Sequence, residues 1–151
     1  MLGALVLCLG VNSFAGAATA SNGMRLDYNG RCLDGDVSSG GGNGSKVQLW
    51  DCNGLENQHW FDLHDNTLRI TVDLTRCLDA DVSSGGGNGS RVQLWDCNGL
   101  SNQVWHWNSQ TGSYYNGYNG RCLDADVSSG GGNGSKMQLW DCNGLKNQTW
   151  H

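Results

Sequence analysis

The chain repeats itself three times. Residues 31–60 read RCLDGDVSSGGGNGSKVQLWDCNGLENQHW, residues 76–105 read RCLDADVSSGGGNGSRVQLWDCNGLSNQVW, and residues 121–150 read RCLDADVSSGGGNGSKMQLWDCNGLKNQTW. Any two blocks differ at 4 of 30 positions, and the period from Arg31 to Arg76 to Arg121 is 45 residues. The stretches between them, residues 61–75 and 106–120, are hardly alike. A period of this length is the mark of a repeat architecture, so whatever packs one block must pack all three. Propellers need about 4 to 8 blades, and open solenoids show distinct capping repeats. Three units closing about an axis remain.

Inside a block, short apolar or alternating runs (Arg-Cys-Leu-Asp, Val-Gln-Leu-Trp-Asp-Cys, Asn-Gln-x-Trp) are separated by Gly, Asn and Ser clusters. That is the pattern of short strands and turns, and no helical stripe survives these glycines. Residues 24–28, 67–72 and 114–118 add strands between blocks. Four strands per unit predict about 12 in all. Alternation then sorts the side chains: with Leu33 and Leu49 toward the core, Asp34, Gln48 and Trp50 point away from it. The same carboxylate, amide and indole recur in each unit.

Such a chain needs help to stay folded, with 24 Gly, no Pro and only 15% charged residues in 151. Each block holds two cysteines: Cys32 and Cys52, Cys77 and Cys97, Cys122 and Cys142. Six cysteines allow 15 connectivities, and a threefold repeat favours pairing each block with itself. Closing a loop of about 20 residues removes roughly 3 kcal/mol of unfolded-chain entropy per bridge. Zinc spacing is absent, so no metal or cofactor is expected.

The net charge of −5 comes without any basic run, which excludes nucleic acid as a partner. Residues 2–11 are all apolar or Gly, and Ala18-Thr19-Ala20 is a small-residue cleavage pattern. Residues 1–20 therefore read as a secretory signal, with one domain over 21–151 in units of about 21–65, 66–110 and 111–151. The apolar run is too short to span a bilayer, so no membrane insertion is expected. Removal of the signal would take Cys8 with it and leave six cysteines in an oxidising compartment.

Three copies of Cys-Leu-Asp, Gln-Leu-Trp-Asp-Cys and Asn-Gln-x-Trp in register resemble the ricin B-chain type of β-trefoil, the R-type lectins and related carbohydrate-binding modules. The resemblance covers residues 22–151 and implies an all-β, pseudo-threefold fold: a six-stranded barrel capped by three hairpins, with Trp60, Trp105 and Trp150 in the core. It implies intra-unit disulfides and one shallow sugar site per unit. Asp34, Asp79 and Asp124 fall on the family's sugar-binding carboxylate, and Trp50, Trp95 and Trp140 on its stacking aromatic. Asn57, Asn102 and Asn147 match the amide ligands, with Gln58, Gln103 and Gln148 bracing the carboxylate. Asn53, Asn98 and Asn143 match a further polar contact, and Gln48, Gln93 and Gln138 a secondary one. All three sets are present, so the implied function is a secreted trivalent lectin with glycans as partners.

The chemistry fits independently. A sugar presents an apolar C–H face and a rim of hydroxyls, which call for a flat ring beside a carboxylate and amides. One shallow site is expected at about −4 to −6 kcal/mol, and three on one body gain avidity. The residue set resembles galactose and N-acetylgalactosamine binders, with xylan or another polysaccharide as the alternative and a glycoside hydrolase as the parent protein in that case. A hydrolase on Asp34 and Asp36 is disfavoured because no short loop encloses a substrate and no His or Ser recurs with the repeat in a catalytic pattern. Asp36, Asp81 and Asp126 read as turn-formers, and Asp79-Ala80-Asp81-Val82-Ser83 lacks the Gly and Glu of a calcium loop. Sequons occur at Asn43, Asn88, Asn133 and Asn147, the last expected bare because it sits in a site. Only His151 follows Trp150, which puts closure at the third unit in question.

Overall fold

The computed structural model describes residues 23–151. The expected signal segment and Cys8 lie outside the described residues. Ten antiparallel strands follow one another: β1 (Cys32–Gly35), β2 (Val47–Trp50), β3 (Trp60–Asp62), β4 (Leu68–Ile70), β5 (Arg76–Ala80), β6 (Val92–Asp96), β7 (Trp105–Asn108), β8 (Ser113–Asn116), β9 (Cys122–Ala125) and β10 (Met137–Trp140). The hairpins β1–β2, β5–β6 and β9–β10 carry the repeat, with Leu33 opposite Leu49, Leu78 opposite Leu94 and Leu123 opposite Leu139. Those six leucines are fully buried, each contributing roughly 1.5–3 kcal/mol of transfer free energy. They form one core with Trp60, Trp105 and Trp150, whose indole N–H groups donate to the carbonyls of Leu33, Leu78 and Leu123.

The tryptophans also set the joints between units. Trp60 pairs with Ile70 across β3–β4, and Trp105 with Asn116 across β7–β8. At the third joint Trp150 pairs with Leu26 as an isolated bridge, flanked by reciprocal Arg25 and His151 backbone bonds of 2.7 and 2.9 Å. The seam that the sequence left in question is therefore closed by residues 25–27. The expected 12 strands become ten among the described residues because this pairing is too short to count as a ladder.

A ring of loop contacts completes the threefold arrangement. Gly44 N–H donates to Leu94 O and Leu94 N–H to Ser45 O; Gly89 and Ser90 treat Leu139 in the same way, and Gly134 and Ser135 treat Leu49. Each glycine-rich loop thus adds two backbone bonds to the next unit's hairpin. Beside them Asn43 accepts from Asp96 N–H and Arg76 and donates to Asp96, while Asn88 clasps Asp141 and Arg121, and Asn133 clasps Asp51 and Arg31. Disulfides Cys32–Cys52, Cys77–Cys97 and Cys122–Cys142 tie each hairpin to its following turn.

The Asn-Gln-x-Trp run departs from its strand reading. Its first half is a single 3-10 turn in every unit, at Glu56–Gln58, Ser101–Gln103 and Lys146–Gln148, and the strand pairing begins at the tryptophan. The turn is what swings Asn and Gln back onto the hairpin carboxylate.

Candidate functional site

The expected residues converge, unit by unit, on one carboxylate. Asp34 sits on the non-core face of β1 opposite Gln48, yet is only 3% exposed because amides cover it. Its Oδ1 accepts from Gln48 Nε2 at 3.1 Å, and its Oδ2 from Asn57 Nδ2 and Gln58 Nε2, both at 2.9 Å. Asp79 receives Gln93, Asn102 and Gln103 in the same way, and Asp124 receives Gln138, Asn147 and Gln148. A carboxylate offers about four lone-pair positions, so among the described residues one position on Oδ1 receives no donor in each unit.

The remaining residues frame that position. Trp50, Trp95 and Trp140 end their strands with 39%, 38% and 40% of their surface exposed, unlike the buried tryptophans of the core. Asn57 Nδ2 spends its second hydrogen on Gly35 O, as Asn102 does on Ala80 O and Asn147 on Ala125 O, so these amides are left with their oxygens as acceptors. A glycan on Asn147 Nδ2 would displace one of these two bonds. Asn53 uses its oxygen on Leu55 N–H and Asn98 and Asn143 do likewise, leaving their amino groups as donors. Gln58 does more than brace: its Oε1 accepts from Asn53 N–H and its Nε2 reaches Asp51 O, fixing the turn to the strand end.

Open cavities of about 410 Å³ lie over the second and third carboxylates. The second is lined by Asp79, Gln93, Trp95, Asn98 and Asn102, and the third by Asp124, Gln138, Trp140, Asn143 and Asn147. Each also contains a valine and a cation that the sequence reading passed over: Val82 with Arg91, and Val127 with Lys136. Their signal was their place in the hairpin: Val82 and Val127 lie three residues after Asp79 and Asp124, and Arg91 and Lys136 immediately before β6 and β10, in a loop read only as a turn. Asp36, Asp81 and Asp126 hold that loop, each accepting from the backbone and hydroxyl of the serine two residues on. Those bonds, the serine hydroxyl foremost, hold the three turn carboxyls below their usual range.

Asp79 and Asp124 behave oppositely. Burial pushes Asp79 and Asp124 up, outweighing the amide bonds that favour ionisation, and the nearby Asp81 and Asp126 add to the rise. Ionisation at these positions is therefore unfavourable to folding. A carboxylate kept where it costs stability is a mark of a functional group. The chemistry on offer is recognition: acceptors at Asp and Asn, a donor at the second Asn, and a flat indole alongside.

The family model described as ricin-type beta-trefoil lectin domain matches residues 23–150. No curated protein matches the chain in sequence. Among solved structures it is similar to the designed threefold symmetric protein ThreeFoil, with a TM-score of 0.74 and 23% identity over 85% of this chain and 94% of that one. It is similar to the C-half of the earthworm R-type lectin in complex with GalNAc, with a TM-score of 0.71 and 18% identity over 85% and 94%. A non-toxic homologue of type II RIPs from Momordica charantia (bitter gourd), in complex with α-methyl-D-galactoside, gives a TM-score of 0.69 and 24% identity over 85% of this chain and 45% of that one. With three repeats, three disulfides and a family match over nearly all described residues, the chain belongs to the ricin-type β-trefoil lectin domain family and is a carbohydrate-binding protein.

Proposed function

We propose that the protein is a secreted, trivalent galactoside-binding lectin, a single domain over residues 21–151 without catalytic activity. The observation that carries this reading is the open acceptor position on Asp34, Asp79 and Asp124, each on a hairpin ending in an exposed tryptophan. One sugar hydroxyl donates to the Asp Oδ1 and its neighbour to the oxygen of Asn57, Asn102 or Asn147. The amino group of Asn53, Asn98 or Asn143 donates to a hydroxyl oxygen, and the C–H face of the ring lies on the indole. The earthworm and bitter-gourd proteins in complex with GalNAc and α-methyl-D-galactoside support galactose as the sugar type. Three disulfides support an oxidising, extracellular setting.

Titration calorimetry of the oxidised chain with lactose, and with xylo-oligosaccharides in parallel, tests the reading. Lactose binding at a stoichiometry near three supports it. Binding of xylo-oligosaccharides alone replaces it with a polysaccharide-binding module, and heat from neither sugar overturns it.

A further inference from the structure

The three sites differ at one end. The run Tyr-Asn-Gly-Arg-Cys precedes two of the three hairpins, at residues 28–32 and 118–122, whereas Asp73-Leu74-Thr75-Arg76-Cys77 precedes the other. In the structure the segment 116–119 is a strap between the turn and the loop that border the second site. At one end Asn116 Nδ2 donates to Asn102 O at 3.0 Å, beneath the turn that supplies Asn102. At the other, Asn119 Nδ2 donates to Gly86 O at 2.7 Å on the loop that supplies Val82. Tyr118 Cε1 and Val82 Cγ1 lie 3.2 and 3.1 Å from the position a Cβ on Gly86 would take, so ring and methyl face each other across bare backbone.

The third site has the same device, built from the start of the described chain. Asn29 Nδ2 donates to Gly131 O at 2.8 Å, and Tyr28 Cε1 and Val127 Cγ1 stand 3.1 and 3.0 Å from the Cβ position of Gly131. Val82 and Val127 line the two cavities, and Tyr118 and Tyr28 are 46% and 44% exposed. At the first site the atoms nearest the Cβ position of Gly41 all belong to Val37, and among the described residues no aromatic ring comes as near as Tyr28 and Tyr118 do at the other two.

We propose that Tyr118 and Tyr28 are second aromatic platforms that extend the second and third sites to take a second saccharide ring, while the first site takes a single ring. This rests on the galactoside reading above. Each extended site pairs an indole that stacks the first sugar with a phenol, across one valine, that stacks the next. A ring held at both places on one rigid body gains an added C–H to aromatic contact, which corresponds to roughly three- to tenfold in affinity.

The test compares methyl galactoside with galactosyl disaccharides of differing linkage on the full, oxidised chain. Trp50→Ala leaves the second and third sites, and Trp95→Ala with Trp140→Ala leaves the first. The Trp50→Ala protein is expected to bind its best disaccharide about three- to tenfold more tightly than methyl galactoside, and the first-site protein to bind both alike. Adding Tyr28→Ala and Tyr118→Ala should remove the preference with methyl galactoside affinity unchanged, and the Tyr→Phe pair should keep it. An equal preference at the first site, a preference that survives Tyr→Ala, or equal weakening of both ligands overturns the proposal. Failure of the wild-type chain to bind methyl galactoside at all would overturn the galactoside reading itself, and this proposal with it.

Discussion

Replacing Asp79 separates the structural role of its carboxylate from the one proposed for it in sugar binding. In Asp79→Ala three amides, from Gln93, Asn102 and Gln103, each lose an acceptor. Gln93 and Gln103 are 4% and 0% exposed, and a buried donor without a partner costs about 1–3 kcal/mol. Asn102 faces the open cavity, where water replaces the lost acceptor. The expected loss is about 2–4 kcal/mol, reduced by removal of a charge that burial disfavours.

Asp79→Asn is milder. Its oxygen still accepts from Asn102 and Gln103, and Gln93 turns its amide to accept from the new amino group. That turn gives up the bond from Arg91 Nη2 to Gln93 Oε1 at 2.7 Å, a cost of about 1 kcal/mol. In the first and third units Lys46 and Lys136 stand in place of Arg91 and bond elsewhere, to Gly134 O and Asp126. Asp34→Asn and Asp124→Asn should therefore cost less still. Chemical denaturation gives the stabilities, and lactose calorimetry should show stoichiometry reduced by one in each variant. An Asn variant as unstable as the Ala variant, or one that keeps full stoichiometry, would refute the reasoning.

Acidification should pull binding and stability in opposite directions at these positions. Asp79 and Asp124 have raised carboxyls, so their contribution to stability is full below the unfolded value and is lost as pH rises through the folded one. Sugar binding needs the ionised form, so affinity at the second and third sites should fall as pH drops through the folded value. Calorimetry and denaturation across that range check both signs, with Asp79→Asn losing ground to the wild type as pH falls. Gly35→Ala places a Cβ 2.4 Å from Ile70 Cδ1 and 3.3 Å from Leu94 Cδ1, and should cost about 1–3 kcal/mol. Adding Ile70→Val should recover part of that in a double-mutant cycle, although Ala80 and Ala125 occupy the equivalent strand ends without penalty. Asn88→Ala removes bonds to Asp141 and Arg121 and should destabilise by about 1–2 kcal/mol by denaturation, with little effect on lactose affinity.

What the sequence could and could not reveal follows from how far each relation reaches along the chain. Period 2 within a hairpin assigns Leu33 and Leu49 to the core and Asp34 and Gln48 to the other face, because strand geometry alone decides it. The covering of Asp34 by Asn57 and Gln58 was not visible in that pattern. Alternation says which way a side chain leaves the strand, and says nothing of a later turn folding over it. The Asn43 clasp on Asp96 joins residues of different units, and neither member carries a local signature beyond a turn. Tyr28 and Tyr118 fall outside the block common to all three units, where the threefold period has no grip, and only the fold brings them against Gly131 and Gly86.

The ring of loop contacts fixes how many repeats one molecule carries. Each unit presents a loop on one side and a hairpin on the other, Gly44 and Ser45 exchanging backbone bonds with Leu94, Gly89 and Ser90 with Leu139, and Gly134 and Ser135 with Leu49. Such a head-to-tail joint closes only when its rotation divides a full turn evenly. A two-repeat chain would leave one loop and one hairpin unsatisfied, and would seek them on another molecule. A four-repeat chain would carry one unit too many for the circle. The number of repeats is thus a property of the angle between neighbours, and gene duplication could alter it only by adding whole rings.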